Sequence, residues 1–301
     1  TFQNTIASIE NVFGKVEDFS NILSVLKDAS PSEAVQKAAV ECVKQMNIAV
    51  AKTRARPDLY RAIKRVSNWN LILEDAKLLD EMRKSFELGG ASLSEKNRQT
   101  YVQLKEELAK AEVDFQQNLN EANDTIALDD DEVDGVPDSL LEALSKDSDD
   151  KYLFTLLKAA HWMPFLQNAE SEEARKKFVT AQEKVLAVKN LQVLERALVL
   201  RNRIAKLFGF KNHAEYVLQL RMAKSTENVA NFLEDLKKRL KPKLESDLGE
   251  LLKLKQDDDG DATAIHLWDW RYYDNQLRKQ KYNVDEEKLR EYFPLDHVDT
   301  T

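Results

Sequence analysis

Between residues 101 and 126 apolar side chains recur at every third or fourth position: Tyr101, Leu104, Leu108, Ala111, Phe115, Leu119, Ala122 and Ile126. Such spacing keeps them on one side of a helix, so the stretch predicts an amphipathic helix packed against neighbours in the same chain. Punctuation for other helices is legible on either side. Ser30-Pro31-Ser32-Glu33 offers a capping hydroxyl, a proline at the first helical position and a carboxylate three residues past the cap, and predicts a helix to about Lys52. Gly89-Gly90 supplies a left-handed stop, with Ser92 and Glu95 opening the next helix.

From Ser171 to Phe208 one long helical pattern ends at Gly209, and Asn212 with Glu215 caps a helix through about Met222. Ser225 caps another, expected to carry Val229, Phe232, Leu233, Leu236 and Leu240 inward and to kink or break at Pro242. Pro137 opens a small helix within Val136 to Leu144. Aromatic and apolar Tyr152 to Leu157 reads as a short strand pairing with Thr125 to Leu128. The pattern is therefore all-α with one short β-hairpin. It divides into an N-terminal helical subdomain at 1-128, an acidic connecting segment at 129-150 and a second helical region at 151-301.

Composition agrees: only seven glycines and six prolines occur in 301 residues. The formal charge of −8, from 53 acidic and 45 basic residues, lacks the positive field that draws phosphate backbones or anionic lipids, so nucleic acid and membrane are disfavoured partners. No apolar run approaches the roughly 20 residues that span a bilayer. A single cysteine, Cys42, excludes an internal disulfide and fits a reducing compartment, cytoplasm or an organelle matrix such as the mitochondrial one. Because Thr1 is not methionine, targeting is not readable from this end.

Candidate chemistry is sparse. A catalytic zinc favours two histidines one helical turn apart, whereas His161, His213, His266 and His297 are scattered. The Asp257-Asp258-Asp259-Gly260 loop fails as a calcium site because Lys255 and His266 fall where oxygen ligands are required. Cys42 shares its helix with Val35, Ala38, Ala39, Val43 and Met46, which reads as a core thiol. The basic run Lys52, Arg54, Arg56, Arg61, Lys64 and Arg65 reads as a solvated helix end without interleaved aromatics. The densest aromatic group is Trp268, Trp270, Tyr272 and Tyr273; on a helix Trp268 would sit one turn from Tyr272, and Asp269 one turn from Tyr273. General physics reads this as core or a subdomain junction before a ligand wall.

That segment also carries a resemblance. Trp268-Asp269-Trp270-Arg271-Tyr272-Tyr273, Leu277-Arg278, Tyr282, Asp285-Glu286-Glu287 and Tyr292-Phe293-Pro294-Leu295-Asp296 resemble a segment of zinc metallopeptidases of the thimet oligopeptidase, neurolysin and saccharolysin type. Upstream, Ala205 to Tyr216, Arg221 to Ser225, Phe115 to Asn120 and Gly135-Val136-Pro137 are similar as well. The resemblance implies a zinc-dependent endopeptidase of short peptides, its shell two-lobed and mostly helical around a deep channel. It also implies that the His-Glu-x-x-His helix and its partners lie beyond Thr301. The chain is thus expected to hold no catalytic residue and no cofactor, with zinc confined to an absent C-terminal catalytic half that would be its partner. Trp268, Asp269, Tyr272 and Tyr273 are the candidates for channel lining or a hinge. The alternative is a stand-alone helical scaffold that binds peptides or proteins without catalysis.

Overall fold

The computed structural model describes residues 1–185, 187–284, 288–289 and 292–293, so 285–287 and 294–296 of the resembling motifs lie outside the described residues. The chain forms two compact units, each drawn from two stretches: residues 1–120 with 188–233, and 121–187 with 234–301.

In the first unit a wide turn, Gln3–Ala7, leads into α1 (Ser8–Ala29), followed by α2 (Glu33–Arg54), α3 (Pro57–Lys64), α4 (Leu73–Phe86) and α5 (Glu95–Asn120). α9 (Ala187–Leu207) and α10 (His213–Leu218) also lie in this unit but for Ala187. α2 packs on both α1 and α5. The predicted stripe is where the core forms: Tyr101, Leu104, Leu108 and Ala111 are buried against Ala197, Leu200 and Ile204 of α9. The helix stops at Asn120, however, so Ala122 and Ile126 leave it and Ile126 enters a strand. A second cluster joins Ile6, Ile63, Leu79, Met82 and Phe86.

Three local readings change here. α2 begins at Glu33 with Ser32 at the cap, because Ser30 is taken up ending α1 and Pro31 lies between the two helices. α5 is opened by Ser94, whose hydroxyl accepts from the Asn97 amide, while the Ser92 hydroxyl bonds back to the Glu87 carbonyl. Cys42 is exposed, since the face α2 turns inward is set by Ala39 and Ala51. The glycine stop is as expected: Gly90 has φ +99°, and a Cβ there would lie 2.7 Å from the Tyr101 ring. Gly90→Ala should therefore lower stability by about 1–3 kcal/mol. Thermal melting checks it, and an unchanged midpoint would show that the turn can relax.

The second unit is built on the expected hairpin. β1 (Thr125–Leu128) and β2 (Tyr152–Thr155) run antiparallel, with Ile126 opposite Phe154 and Leu128 opposite Tyr152. Between them lies α6 (Asp138–Leu141), after which come α7 (Ala159–Asn168) and α8 (Glu172–Lys184). Phe154, Phe165 and Phe178 meet at the centre, their ring centroids 4.8–6.0 Å apart. The acidic segment 129–150 neutralises some of its charge locally: Asp129 meets Lys151 at 2.7 Å and Glu132 meets Lys177 at 2.7 Å.

The long pattern from Ser171 to Phe208 is two helices rather than one, because Val185 turns to ψ 126° and ends α8. Gly209 closes α9 as expected: it has φ +82°, and Phe210 N–H bonds back to the Ala205 carbonyl. α10 is shorter than its pattern, ending at Leu218.

α11 (Thr226–Asp258) runs unbroken through Pro242. Its surroundings there are solvent, which satisfies the carbonyl that the proline leaves without a donor. The same exposure reverses the inward assignment of its apolar row: Phe232 is 66% exposed and Leu240 54%, with Leu233 and Leu236 also exposed. α12 (Trp270–Tyr282) docks on α7, where the Asn275 side chain donates to the Gln167 carbonyl at 3.0 Å. Among the described residues no helix is long and apolar enough to cross a membrane.

Candidate functional site

The aromatic segment predicted to carry function surrounds a buried ion cluster in the second unit. α12 starts at Trp270, so Trp268 and Asp269 stand in the turn before it rather than on the helix itself. The turn closes because the Asp269 carboxylate accepts from the His266 backbone N–H at 2.8 Å, while Tyr273 N–H bonds to the Asp269 carbonyl. Asp269 has no exposed surface. A carboxylate that deep is tolerated only with full hydrogen bonding and opposite charge.

Both are supplied by two cations from other helices. Lys255, near the end of α11 and 3% exposed, donates to Asp269 Oδ2 at 2.7 Å and lies 2.9 Å from Glu172 Oε1. Arg175 of α8, 1% exposed, spreads its guanidinium over four acceptors. Nη1 donates to the carbonyls of Ala169 and Glu170 at 2.8 Å, Nε to the Trp268 carbonyl at 3.1 Å, and Nη2 meets Asp269 Oδ1 at 3.4 Å. The Tyr272 ring covers the guanidinium face at 4.3 Å, a cation–π contact strengthened by the loss of water. Trp268 Nε1 donates to Glu172 Oε1 at 3.0 Å, and its ring stacks on His266 at 4.8 Å.

Two positive and two negative groups thus meet. Burial pulls the Lys255 ammonium down, but its hydrogen bonds to Asp269 and Glu172 outweigh that and hold it above the usual lysine range. Glu172 shows the mirror image: burial raises it, while Trp268 and Lys255 together bring it below the usual carboxylate range. Burial pushes the Tyr272 and Tyr273 hydroxyls up, with the Asp258 carboxylate adding to both. The two tyrosines border a cleft of about 100 Å³ with Asp258, Gln276 and Gln280.

Glu172, His266 and Asp269 place one oxygen or nitrogen each within 4.8 Å of one another, among the described residues the one grouping with the donors for a metal. The chemistry of that grouping does not suit a catalytic zinc. Both Asp269 oxygens and Glu172 Oε1 already accept from Lys255, Arg175, Trp268 or backbone, and two fixed cations would repel a third. What this arrangement does is lock the Trp268 turn to α8 and α11.

The four sequence-predicted residues are therefore brought together, but in different roles. Asp269 is the hub, Trp268 and Tyr272 cover its partners, and Tyr273 is buried beside them. Arg175 and Glu172 carry no local signal, each reading as an ordinary charged position on a helix, and Lys255 enters the sequence reading only as a mismatch to a calcium loop. The basic run from Lys52 to Arg65 is dispersed: Lys52 pairs with Glu106 and Arg56 with Asp58, while Lys64 lies over the Tyr60 ring.

Residues 165–300 match Peptidase family M3. Over 98% of its length the chain is 29% identical to saccharolysin of Saccharomyces cerevisiae, covering 43% of that protein. Over 90% it is 29% identical to a probable thimet oligopeptidase of Arabidopsis thaliana, covering 38%. Over 96% it is 24% identical to oligopeptidase A of Escherichia coli, covering 45%. The chain spans less than half the length of these curated relatives. Residues 165–300, which contain the ion cluster and the aromatic segment, match Peptidase family M3, and almost the whole chain is similar in sequence to oligopeptidases.

Proposed function

We propose that this chain is the non-catalytic N-terminal part of a zinc-dependent oligopeptidase that hydrolyses short peptides in the cytoplasm or an organelle matrix. It forms scaffold and channel wall and is inactive alone. The observation that carries the reading is the match of almost the whole chain to less than half of saccharolysin, in a sequence with no His-Glu-x-x-His. Hydrolysis of an amide by zinc needs a cluster of neutral imidazole and carboxylate ligands with a base beside it. Here, in the one comparable cluster among the described residues, both Asp269 oxygens and Glu172 Oε1 are already engaged by lysine or arginine.

In this reading Trp268, Tyr272 and Tyr273 are wall or hinge residues, held in place by Asp269. The exposed apolar row on α11, Phe232, Leu236, Leu240, Leu244 and Leu248, supports a further covering portion of protein, because so much contiguous apolar surface is rare on a chain that works uncovered. The partner is the C-terminal catalytic half, and the peptides belong to the complete enzyme.

A charged variant of the row tests the covering part directly. Leu236→Glu with Leu240→Glu should leave the unfolding free energy of the isolated chain within the roughly 0.5 kcal/mol expected of surface changes while reducing self-association. It should also weaken capture of the separately expressed remaining half. Unchanged capture would remove α11 from that interface.

A further inference from the structure

A cavity of about 610 Å³ lies within the first unit, between α2, α5, α10 and the Gly89 turn. Three cations line it, Arg54, Lys105 and Arg221, and among the described residues no carboxylate lies within ion-pairing distance of any of them. The one acidic residue on its wall, Glu112, is engaged elsewhere, its Oε1 accepting from Arg201 at 2.9 Å. Arg54 instead rests on the Phe13 ring at 5.2 Å.

Lys105 is half-buried without an ion pair, whereas Lys255 and Lys151 elsewhere in the chain have carboxylates against them. Desolvation draws the Lys105 ammonium below the usual lysine range, with Arg201 and Arg54 adding to the effect and Glu112 only partly opposing it. Charge left unpaired in a half-closed site costs free energy unless a ligand compensates it. The surrounding wall is fixed. Tyr216 donates to the Leu88 carbonyl at 2.6 Å, and Gly89 lets the Arg54 backbone approach so closely that a Cβ would meet Arg54 Cβ at 2.7 Å.

We propose that this cavity binds a small, multiply charged oxyanion, with Lys105 and Arg221 donating to its phosphate or carboxylate oxygens and Arg54 adding positive field. Phosphate and carboxylate ligands share this chemistry, and the test separates them. The inference stands apart from the peptidase reading, because binding to the chain itself answers it without any catalysis.

Isothermal titration of the full chain with pyrophosphate in one arm and citrate in the other, at constant ionic strength, reads the site. At least one anion should bind with Kd below about 1 mM, the range that a few charge-assisted hydrogen bonds provide. Lys105→Met and Arg221→Gln should each weaken that binding by about tenfold or more, the loss of one such contact. Pyrophosphate alone would assign phosphate ligands, and citrate alone carboxylate ligands. Arg221 is exposed, so its variant keeps the test open if Lys105→Met fails to fold. Absence of binding at about 10 mM, where a millimolar site would be mostly filled, would overturn the proposal and leave these cations to an acidic segment of another polypeptide. Binding unchanged in both variants would overturn it equally.

Discussion

Asp269→Asn is expected to destabilise the chain by about 3–5 kcal/mol, the cost of removing one partner from a buried ionic cluster. The substitution keeps the shape of the side chain but leaves Lys255 with Glu172 as its remaining carboxylate and Arg175 with backbone carbonyls alone, both cations almost without exposed surface. It also weakens the acceptor that closes the turn onto His266 N–H. Urea denaturation gives the difference directly. Lys255→Met added to Asp269→Asn should recover part of the loss, since the second change removes the cation the first one stranded, and that sign of coupling separates electrostatics from lost packing. A loss below about 1 kcal/mol would mean that water or a shifted Glu172 already compensates the site.

The same cluster sets a pH dependence whose sign follows from its shifts. Lys255 sits above its ordinary value, so its contribution is complete below the unfolded lysine pKa of about 10.4 and is lost as pH rises through the folded value. Glu172 sits below its ordinary value, so its contribution is complete above an unfolded pKa of about 4.3 and is lost as pH falls through the folded one. Denaturation followed across pH should show both losses in the wild type, and the alkaline one should disappear in Lys255→Met.

Phe165→Ala should cost about 3–5 kcal/mol as well, for a different reason. Phe165, Phe154 and Phe178 are all fully enclosed, with Phe165 stacked on Phe178 at 4.8 Å and edge-on to Phe154 at 5.1 Å. Removing one ring leaves a cavity bordered by two rings fixed on β2 and α8, which cannot collapse into it together. Phe165→Leu retains much of the volume and should cost roughly half as much or less. Equal losses for the two variants would show that ring stacking, rather than filled volume, holds this core.

Features encoded by neighbouring residues were legible in the sequence. The Asn212 and Ser225 caps bond to the amides three residues on, as their positions imply. The hairpin appears where Thr125 to Leu128 and an aromatic run could pair, and the Tyr101 stripe is the core of its unit. What failed depended on distant partners. The row on α11 has helical spacing, but nothing in its spacing tells whether a neighbour exists to bury it. Cys42 has apolar neighbours along α2 yet sits on the outer side. Val185 ends α8 without a glycine or proline to announce it. At the candidate site the aromatic half was visible because Trp and Tyr crowd one segment. The ionic half was not, since Arg175 and Asp269 lie 94 positions apart in sequence and only folding brings them together.

We propose that catalysis resides outside these 301 residues. The most direct test is cleavage of an internally quenched short peptide in the presence of Zn²⁺, by the isolated chain and by the chain mixed with the proposed catalytic half. The chain alone should show no turnover and no stoichiometric zinc, with zinc-dependent cleavage appearing on mixing. Zinc-dependent turnover by the isolated chain would contradict it.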